Sequence, residues 1–297
     1  MDLSELLKRQ QKEINLRLSG KKKDGIKTYL YDLDSMLYGG LQRGSLNVIA
    51  GRVSMGKSSL ALTIACNIAE IHNLPICFFQ LDDCKENLTI NFITHKTGFS
   101  PRKLRNEEFN SNEKIMLDKS IEFLGKLPIS IFDNPLFSTS EIYQICGDIK
   151  KEAKDKKLGL VVIEDLQSLE YFKINNYEEE DNYEEENNYE EETKINIAKK
   201  LKSLAVELDV PVIITSQVSN HCESRDNKRP HLCELKDFPE IIKYADTIII
   251  LYKYDYYDLD SEENGIAELL IRQNRSGPIG TIKLSFELEY KKFKNLK

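Results

Sequence analysis

Eight consecutive residues, Gly51-Arg52-Val53-Ser54-Met55-Gly56-Lys57-Ser58, have the types and spacing to hold a polyphosphate. They fit G-x-x-x-x-G-K-[ST], in which successive backbone N–H groups wrap the phosphates of a nucleotide. Gly51 and Gly56 allow a backbone path and a closeness of approach that a Cβ would block. Lys57 reaches the β- and γ-phosphates, and the Ser58 hydroxyl completes a Mg²⁺ shell. The phosphate-binding set is therefore Gly51, Ser54, Met55, Gly56, Lys57, Ser58 and Ser59. At a glycine frequency of ~7%, the bare pattern arises by chance in about one chain in a hundred of this length. The apolar run before it and the helical pattern after it make chance rarer still.

Other polar groups end apolar runs. Glu164-Asp165 follows Leu160-Val161-Val162-Ile163, the pattern of a buried strand closing on a Mg²⁺-organising carboxylate. This makes Ser58, Glu164 and Asp165 the metal candidates. Asp82-Asp83 closes Pro75 to Leu81 and offers a base, Asp82, to orient the attacking water. Gln217 closes Val212 to Ser216 and can sense a γ-phosphate by hydrogen bond. A single strand-end polar residue more often simply meets solvent. Four strand ends that all suit one nucleotide argue for a site, since ligands of parallel sheets bind at the strands' carboxyl ends.

The elements that must position these groups alternate. Strands are expected at Ser45–Ala50, Pro75–Leu81, Ile129–Phe132, Leu158–Ile163, Val210–Thr215, Thr247–Tyr252, Ile266–Arg272 and Ile279–Glu287. Helices are expected after Lys57, at Lys85–Thr97, about Asn112–Leu124, Ser138–Lys154 and Lys194–Leu208, with a Ser100-Pro101 capped turn between. This order predicts an α/β fold with a mostly parallel central sheet flanked by helices, extended by antiparallel C-terminal strands. Residues 1–19 form a separate amphipathic helix with Leu3, Leu6, Leu7, Ile14 and Leu18 in one stripe. With the basic hinge through residue 24, they form a linker ahead of the domain at 25–297. The stripe has two places to go, back onto its own domain or onto a neighbouring subunit.

Of the 297 residues, 40% are hydrophobic, enough for a sizeable core. No apolar run approaches the ~18 residues of a membrane span, and the opening residues are no signal peptide, so a cytoplasmic protein without membrane contact is expected. The six cysteines lack C-x-x-C pairs and several lie inside apolar patterns, as reduced core thiols do. His221-Cys222 and His231-x-Cys233 gather four possible zinc ligands, at a spacing that matches no standard finger. The net charge of −7 is local in origin: nine Glu and one Asp lie between Asn175 and Thr193, and the remainder carries +3. That segment repeats Asn-Tyr-Glu-Glu-Glu three times and is expected to be a disordered acidic insert at about 175–193. It is either a tolerated loop insertion or a mimic of DNA that covers a basic face.

Ser54-Met55-Gly56-Lys57-Ser58, Val162 to Gln167, Val210 to Ile213 with Ser216 to Ser219, Asp226 to Pro230, Ala245-Asp246, Tyr256-Tyr257 and Gly277 to Thr281 resemble, in order, DnaB-type replicative helicases. Tyr31 to Asp34 and Gly40 to Gly44 fit the same family's domain entrance, so the resemblance covers about Gly25 to Leu296. It implies a RecA-like P-loop NTPase domain that hydrolyses ATP with Mg²⁺ to translocate on single-stranded DNA and unwind duplex in replication. It further implies a hexameric ring, primase or loader partners, a nucleoid-associated location, and residues 1–19 as the linker helix docking on the adjacent subunit. The family's N-terminal primase-interacting domain has no counterpart in the chain. By position, Lys57 and Ser58 hold phosphate and metal, Gln217 is the sensor, and Arg275 is the arginine finger that completes a neighbour's site. Arg225, Lys228, Arg229 and Lys236 are the basic candidates for contact with DNA.

Four departures stand out. The family's catalytic Glu falls on Asp82, one methylene shorter, and its strand-end Asp falls on Glu164, one methylene longer. A Lys beside the finger falls on Gln273, and a loop Arg-Glu-x-Gly becomes Lys236-Asp237-Phe238-Pro239, where Pro lacks an N–H for phosphate. The departures and the acidic insert leave room for an alternative, a catalytically weakened ATP-binding interaction module that joins or regulates a helicase ring. A recombinase-type strand-exchange ATPase on the same fold is disfavoured by Gly277-Pro278-Ile279-Gly280.

Overall fold

The computed structural model describes residues 2–19, 25–153, 156–169, 183–235, 239–258 and 261–296. The strands are β1 (Leu46–Gly51), β2 (Ile76–Gln80), β3 (Ile129–Phe132), β4 (Leu160–Glu164), β5 (Val212–Gln217), β6 (Thr247–Tyr252), β7 (Ile266–Asn274), β8 (Gly280–Glu287) and β9 (Lys292–Asn295). Among the described residues they make one nine-stranded sheet in the order β3-β2-β4-β5-β1-β6-β7-β8-β9. Pairing is parallel from β3 through β6 and antiparallel from β6 to β9.

Helices cover both faces of the parallel part, which is why β1, β2, β4 and β6 are buried at every position. Alternation assigns each side chain to a face. Leu46, Val48 and Ala50 pack with Ile142 and Cys146 of α7 (Thr139–Glu152) and with Leu201 and Leu204 of α8 (Tyr183–Leu208). Ile49 packs on the other side with Leu60 and Ile64 of α3 (Lys57–Asn67) and with Phe92 of α4 (Lys85–Thr97). Each such side chain contributes about 2 kcal/mol when removed from water, and the two layers together hold the sheet rigid.

Local signals set the helix ends. Asn110 and Glu113 form a reciprocal cap on α6 (Ser111–Leu124), and Ser138 and Glu141 do the same for α7. Ser100 caps α5 (Pro101–Asn106), whose first residue is proline. Ahead of the sheet, α2 (Tyr31–Met36) is anchored by buried Asp34, which accepts from Thr28 N and Oγ1, both at 2.8 Å.

Two expectations change. α8 begins at Tyr183 rather than Lys194, so the described half of the acidic segment is helical, not disordered. Glutamate is a good helix former, and acids in the amino-terminal part of a helix are favoured by its dipole. Residues 175–182 lie outside the described residues. β9 was not anticipated, because Lys-Phe-Lys-Asn carries one apolar side chain and no strand pattern of its own.

α1 (Leu3–Leu18) keeps its stripe in water: Leu3, Leu6, Leu7 and Ile14 are all exposed. Among the described residues, no helix is long and apolar enough to cross a membrane.

Candidate active site

β1 ends at Gly51 and α3 starts at Lys57, so residues 52–56 turn the chain from sheet to helix in five residues. Ser54 and Gly56 take positive φ, 64° and 95°, which bends the loop tightly enough to aim the first N–H groups of α3 outward. Gly56 is required twice over. Its conformation is left-handed, and a Cβ there would lie 2.9 Å from Phe286 Cζ and 3.2 Å from Phe293 Cζ. Those rings stack at a centroid distance of 4.3 Å and form the floor of the loop. Met55 is also buried there, so its side chain anchors the loop and only its backbone faces a ligand. Ser59 is buried and its carbonyl accepts from Thr63 Oγ1 at 2.8 Å.

Lys57 Nζ donates to the loop carbonyl of Arg52 at 3.3 Å. Burial lowers its pKa, while Asp165, Glu164 and Asp82 oppose that shift, which places all three carboxylates around the ammonium. β2 and β4 bring them there: Gln80 and Glu164 are Cα partners, and Leu81 N donates to Glu164 O at 2.6 Å. Glu164 is buried near the Ser58 hydroxyl, which holds its pKa down in part, and its Oε1 has no partner. Burial, then the charge of Asp82, pushes it up to about 8. The same causes push Asp165 up to about 6, and its Oδ1 is likewise buried and unpartnered. Two buried carboxyl groups with orphaned oxygens beside a hydroxyl fit a divalent cation, which would repay their desolvation.

Asp82 and Asp83 have separate duties. Asp83 Oδ1 accepts from Cys84 N at 2.8 Å and Asn87 Nδ2 at 2.7 Å, tying down the start of α4. Asp82 is exposed and faces the site, with Oδ1 accepting from Gln80 Nε2 at 2.5 Å. Gln217 is the Cα partner of Gly51, directly beside the loop, and its N–H donates to Gln167 Oε1 at 3.2 Å.

Arg275 lies at the opposite end of the sheet. Its N–H donates to Asp246 O at 2.8 Å and its guanidinium to Lys243 O, while Asp246 Oδ2 accepts from Leu46 N where β1 begins. The length of β1 separates the two ends by roughly 17 Å. Arg275 therefore cannot reach the phosphate loop of its own chain. Gln273 is turned inward and donates to Ile242 O and Ala245 O at 3.0 and 2.6 Å.

The basic candidates are engaged within the chain. Arg225 donates to Arg229 O and Glu234 Oε2, both at 3.0 Å. Arg229 grips Glu268 with two bonds, 2.6 and 2.9 Å, and lies over the Tyr252 ring. Lys228 donates to Glu223 O at 3.0 Å. Lys236 lies outside the described residues. The His221, Cys222, His231, Cys233 group does not converge: Cys222 is buried and Cys233 exposed. Among the described residues no three His, Cys, Asp or Glu side chains form a cage for a metal.

The sequence did not single out Gln80, Arg52 or the Phe286–Phe293 floor. A polar residue ending an apolar strand two positions before an acid was the available signal for Gln80. Arg52 Nε pairs with Glu223 at 2.9 Å, a contact 171 residues distant that no local pattern announces.

Comparison with known proteins identifies the family and the fold. The family described as DnaB-like helicase C terminal domain matches residues 25–295. A probable replicative DNA helicase of Trieres chinensis is 37% identical over 275 residues, covering 91% of this chain and 57% of its own length. The chain spans about 57% of the length of the curated relatives it matches. Among solved structures, the ATPase domain of G40P superposes with a TM-score of 0.87 at 30% identity, covering 100% of this chain and 99% of its own. A DnaB-like replicative helicase, described together with its interactions with primase, has a TM-score of 0.85 at 31% identity over 100% of this chain and 67% of its own.

Proposed function

We propose, for a chain that belongs to the DnaB-like helicase C-terminal domain family, an ATP-hydrolysing motor that moves along single-stranded DNA. The observation that carries this reading is the convergence of Lys57, Ser58, Asp82, Glu164 and Gln217 at neighbouring strand ends, with Arg275 at the far end of the same sheet. The loop N–H groups and Lys57 bind the phosphates. Ser58, with Glu164 and Asp165, would hold Mg²⁺, which when bound supplies charge neutralisation of the phosphate oxygens. Its usual dependence on one or two carboxylates plus substrate phosphates suits a site without an all-protein cage. Asp82 orients a water molecule and takes its proton as the water oxygen bonds to the γ-phosphorus and the bond to the ADP oxygen breaks. Gln217 reports the γ-phosphate to β5 and the loop behind it.

Because Arg275 is remote from its own loop, it acts on a neighbour's nucleotide, and turnover needs assembly. A homohexameric ring meets that need, with the exposed stripe of α1 as a linker helix seated on the next subunit. In this reading residues 1–24 are linker and hinge and 25–297 the motor. Arg225, Lys228, Arg229 and Lys236 are its DNA-facing residues, and the first three must exchange internal partners for phosphates. Primase is the partner suggested by the solved relative, and the setting is the replication machinery of the cytoplasm. The alternative of a catalytically weakened ATP-binding module that joins or regulates a ring without unwinding has less in its favour, since Lys57, Asp82, Glu164 and Gln217 lie at neighbouring strand ends around one loop.

The test is ATPase activity with and without single-stranded DNA, measured beside Lys57→Ala. Stimulation in the parent and none in the variant is expected. Equal, unstimulated rates in the two would discard the motor.

A further inference from the structure

We propose that Gln80 is a positioning residue that sets the carboxylate of Asp82 for water activation, an inference resting on the hydrolytic reading above. Gln80 is the last residue of β2 and is buried. Its backbone is fixed on one side by the Cα pairing with Glu164 and by the bond from Leu81 N to Glu164 O. From that rigid base Nε2 donates to Asp82 Oδ1 at 2.5 Å. Asp82 is beyond the sheet and exposed, on a short chain segment between β2 and α4. A buried amide thus orients an acid that the adjoining loop would leave free to rotate.

The chemistry follows from which oxygen is occupied. With Oδ1 accepting from the amide, Oδ2 is the oxygen left for the water. The amide carries no proton to give up and no charge, so it holds the acid without neutralising it. The Asp82 charge is felt at Glu164, whose carboxyl it helps push up, so an uncharged partner holds Asp82 without adding to the charge of the site. Aspartate reaches one methylene less far than the glutamate implied at this position by the family resemblance. Glutamine is the longer of the two amide side chains, so amide and acid are complementary in length. Misplacing a reacting group by about 1 Å can reduce rate ~10²-fold, so this complementarity decides turnover.

The proposal is tested on the full chain by steady-state ATPase and equilibrium nucleotide binding. The variants are Gln80→Leu, Gln80→Asn, Asp82→Asn and the double variant Gln80→Asn/Asp82→Glu. Gln80→Leu and Gln80→Asn should lower kcat ~10–100-fold while leaving nucleotide Kd within about twofold, the split expected of an interaction made for the reaction and not for binding. The double variant should regain at least about tenfold over Gln80→Asn, because the longer acid meets the shorter amide. Should kcat and nucleotide affinity fall together, or the double variant show no recovery, Gln80 is a structural residue and the proposal is wrong. Asp82→Asn at parental turnover would instead remove Asp82 as the base, and the positioning role with it. If Gln80→Leu fails to fold, Gln80→Asn and the double variant carry the test.

Discussion

Glu164 ends β4 near the Ser58 hydroxyl and the Asp82 charge, with its Oε1 buried without a partner. Its pKa of about 8 has a consequence for stability. The folded chain keeps a proton that the unfolded chain releases near pH 4.5, so the group's full contribution is present below that value. It is lost as pH rises through about 8. Glu164→Gln removes this loss, and each pH unit within that window is equivalent to about 1.4 kcal/mol at most. We expect the nucleotide-free variant to melt above the parent, with a gap several degrees wider at pH 8.5 than at pH 6. Thermal melts of both proteins at the two pH values check this, and an equal gap would contradict it. Asp82, Glu164 and Asp165 were all legible as strand-end acids. Which of their oxygens are paired and which are buried without a partner was not, because that depends on the groups neighbouring strands bring beside them.

At the scale of elements, the phosphate loop depends on strands from the other end of the chain. β8 and β9 bring Phe286 and Phe293 under Gly56, and Phe293 N donates to Thr63 Oγ1 in α3 at 3.2 Å. Gly56→Ala meets two separate penalties, a left-handed backbone costing roughly 1–2 kcal/mol and contact with the rings. Nucleotide binding should be lost and stability should fall by about 2–4 kcal/mol. Adding Phe286→Leu should return part of the stability and little of the binding, since it relieves the contact and not the torsion. Denaturant melts with nucleotide titration separate the two; full recovery of binding would show that sterics alone matter. Most elements were readable: β3, β6 and α4 fall where periodicity and caps put them. β9 was not, because a single apolar residue between lysines becomes a strand only when β8 offers an edge. α8 starts early because glutamates read as repulsion in sequence yet suit the first turns of a helix.

At the scale of the whole molecule, the sheet puts the phosphate loop at one end and Arg275 at the other, so in the proposed motor a working site takes one group from each of two chains. Lys57→Ala and Arg275→Ala should each be inactive alone. Mixed together they should recover measurable ATPase, because some interfaces then join an intact loop to an intact arginine. An arginine of this kind is worth ~10³–10⁵ in rate, so recovery from even a minority of interfaces is detectable. Mixtures as inactive as either variant would exclude catalysis across the interface.

By itself the sequence determined the chemistry of the loop and the alternation of strand and helix. Both are written in neighbouring residues: glycine torsions, a lysine and hydroxyl at set spacing, apolar runs ending in acids. Only the tertiary structure decided that Gln80 holds Asp82, that Phe286 and Phe293 floor the loop, and that Arg225 and Arg229 are occupied by Glu234 and Glu268. Those pairings join residues from separate strands and loops, and strand order and register set which of them meet.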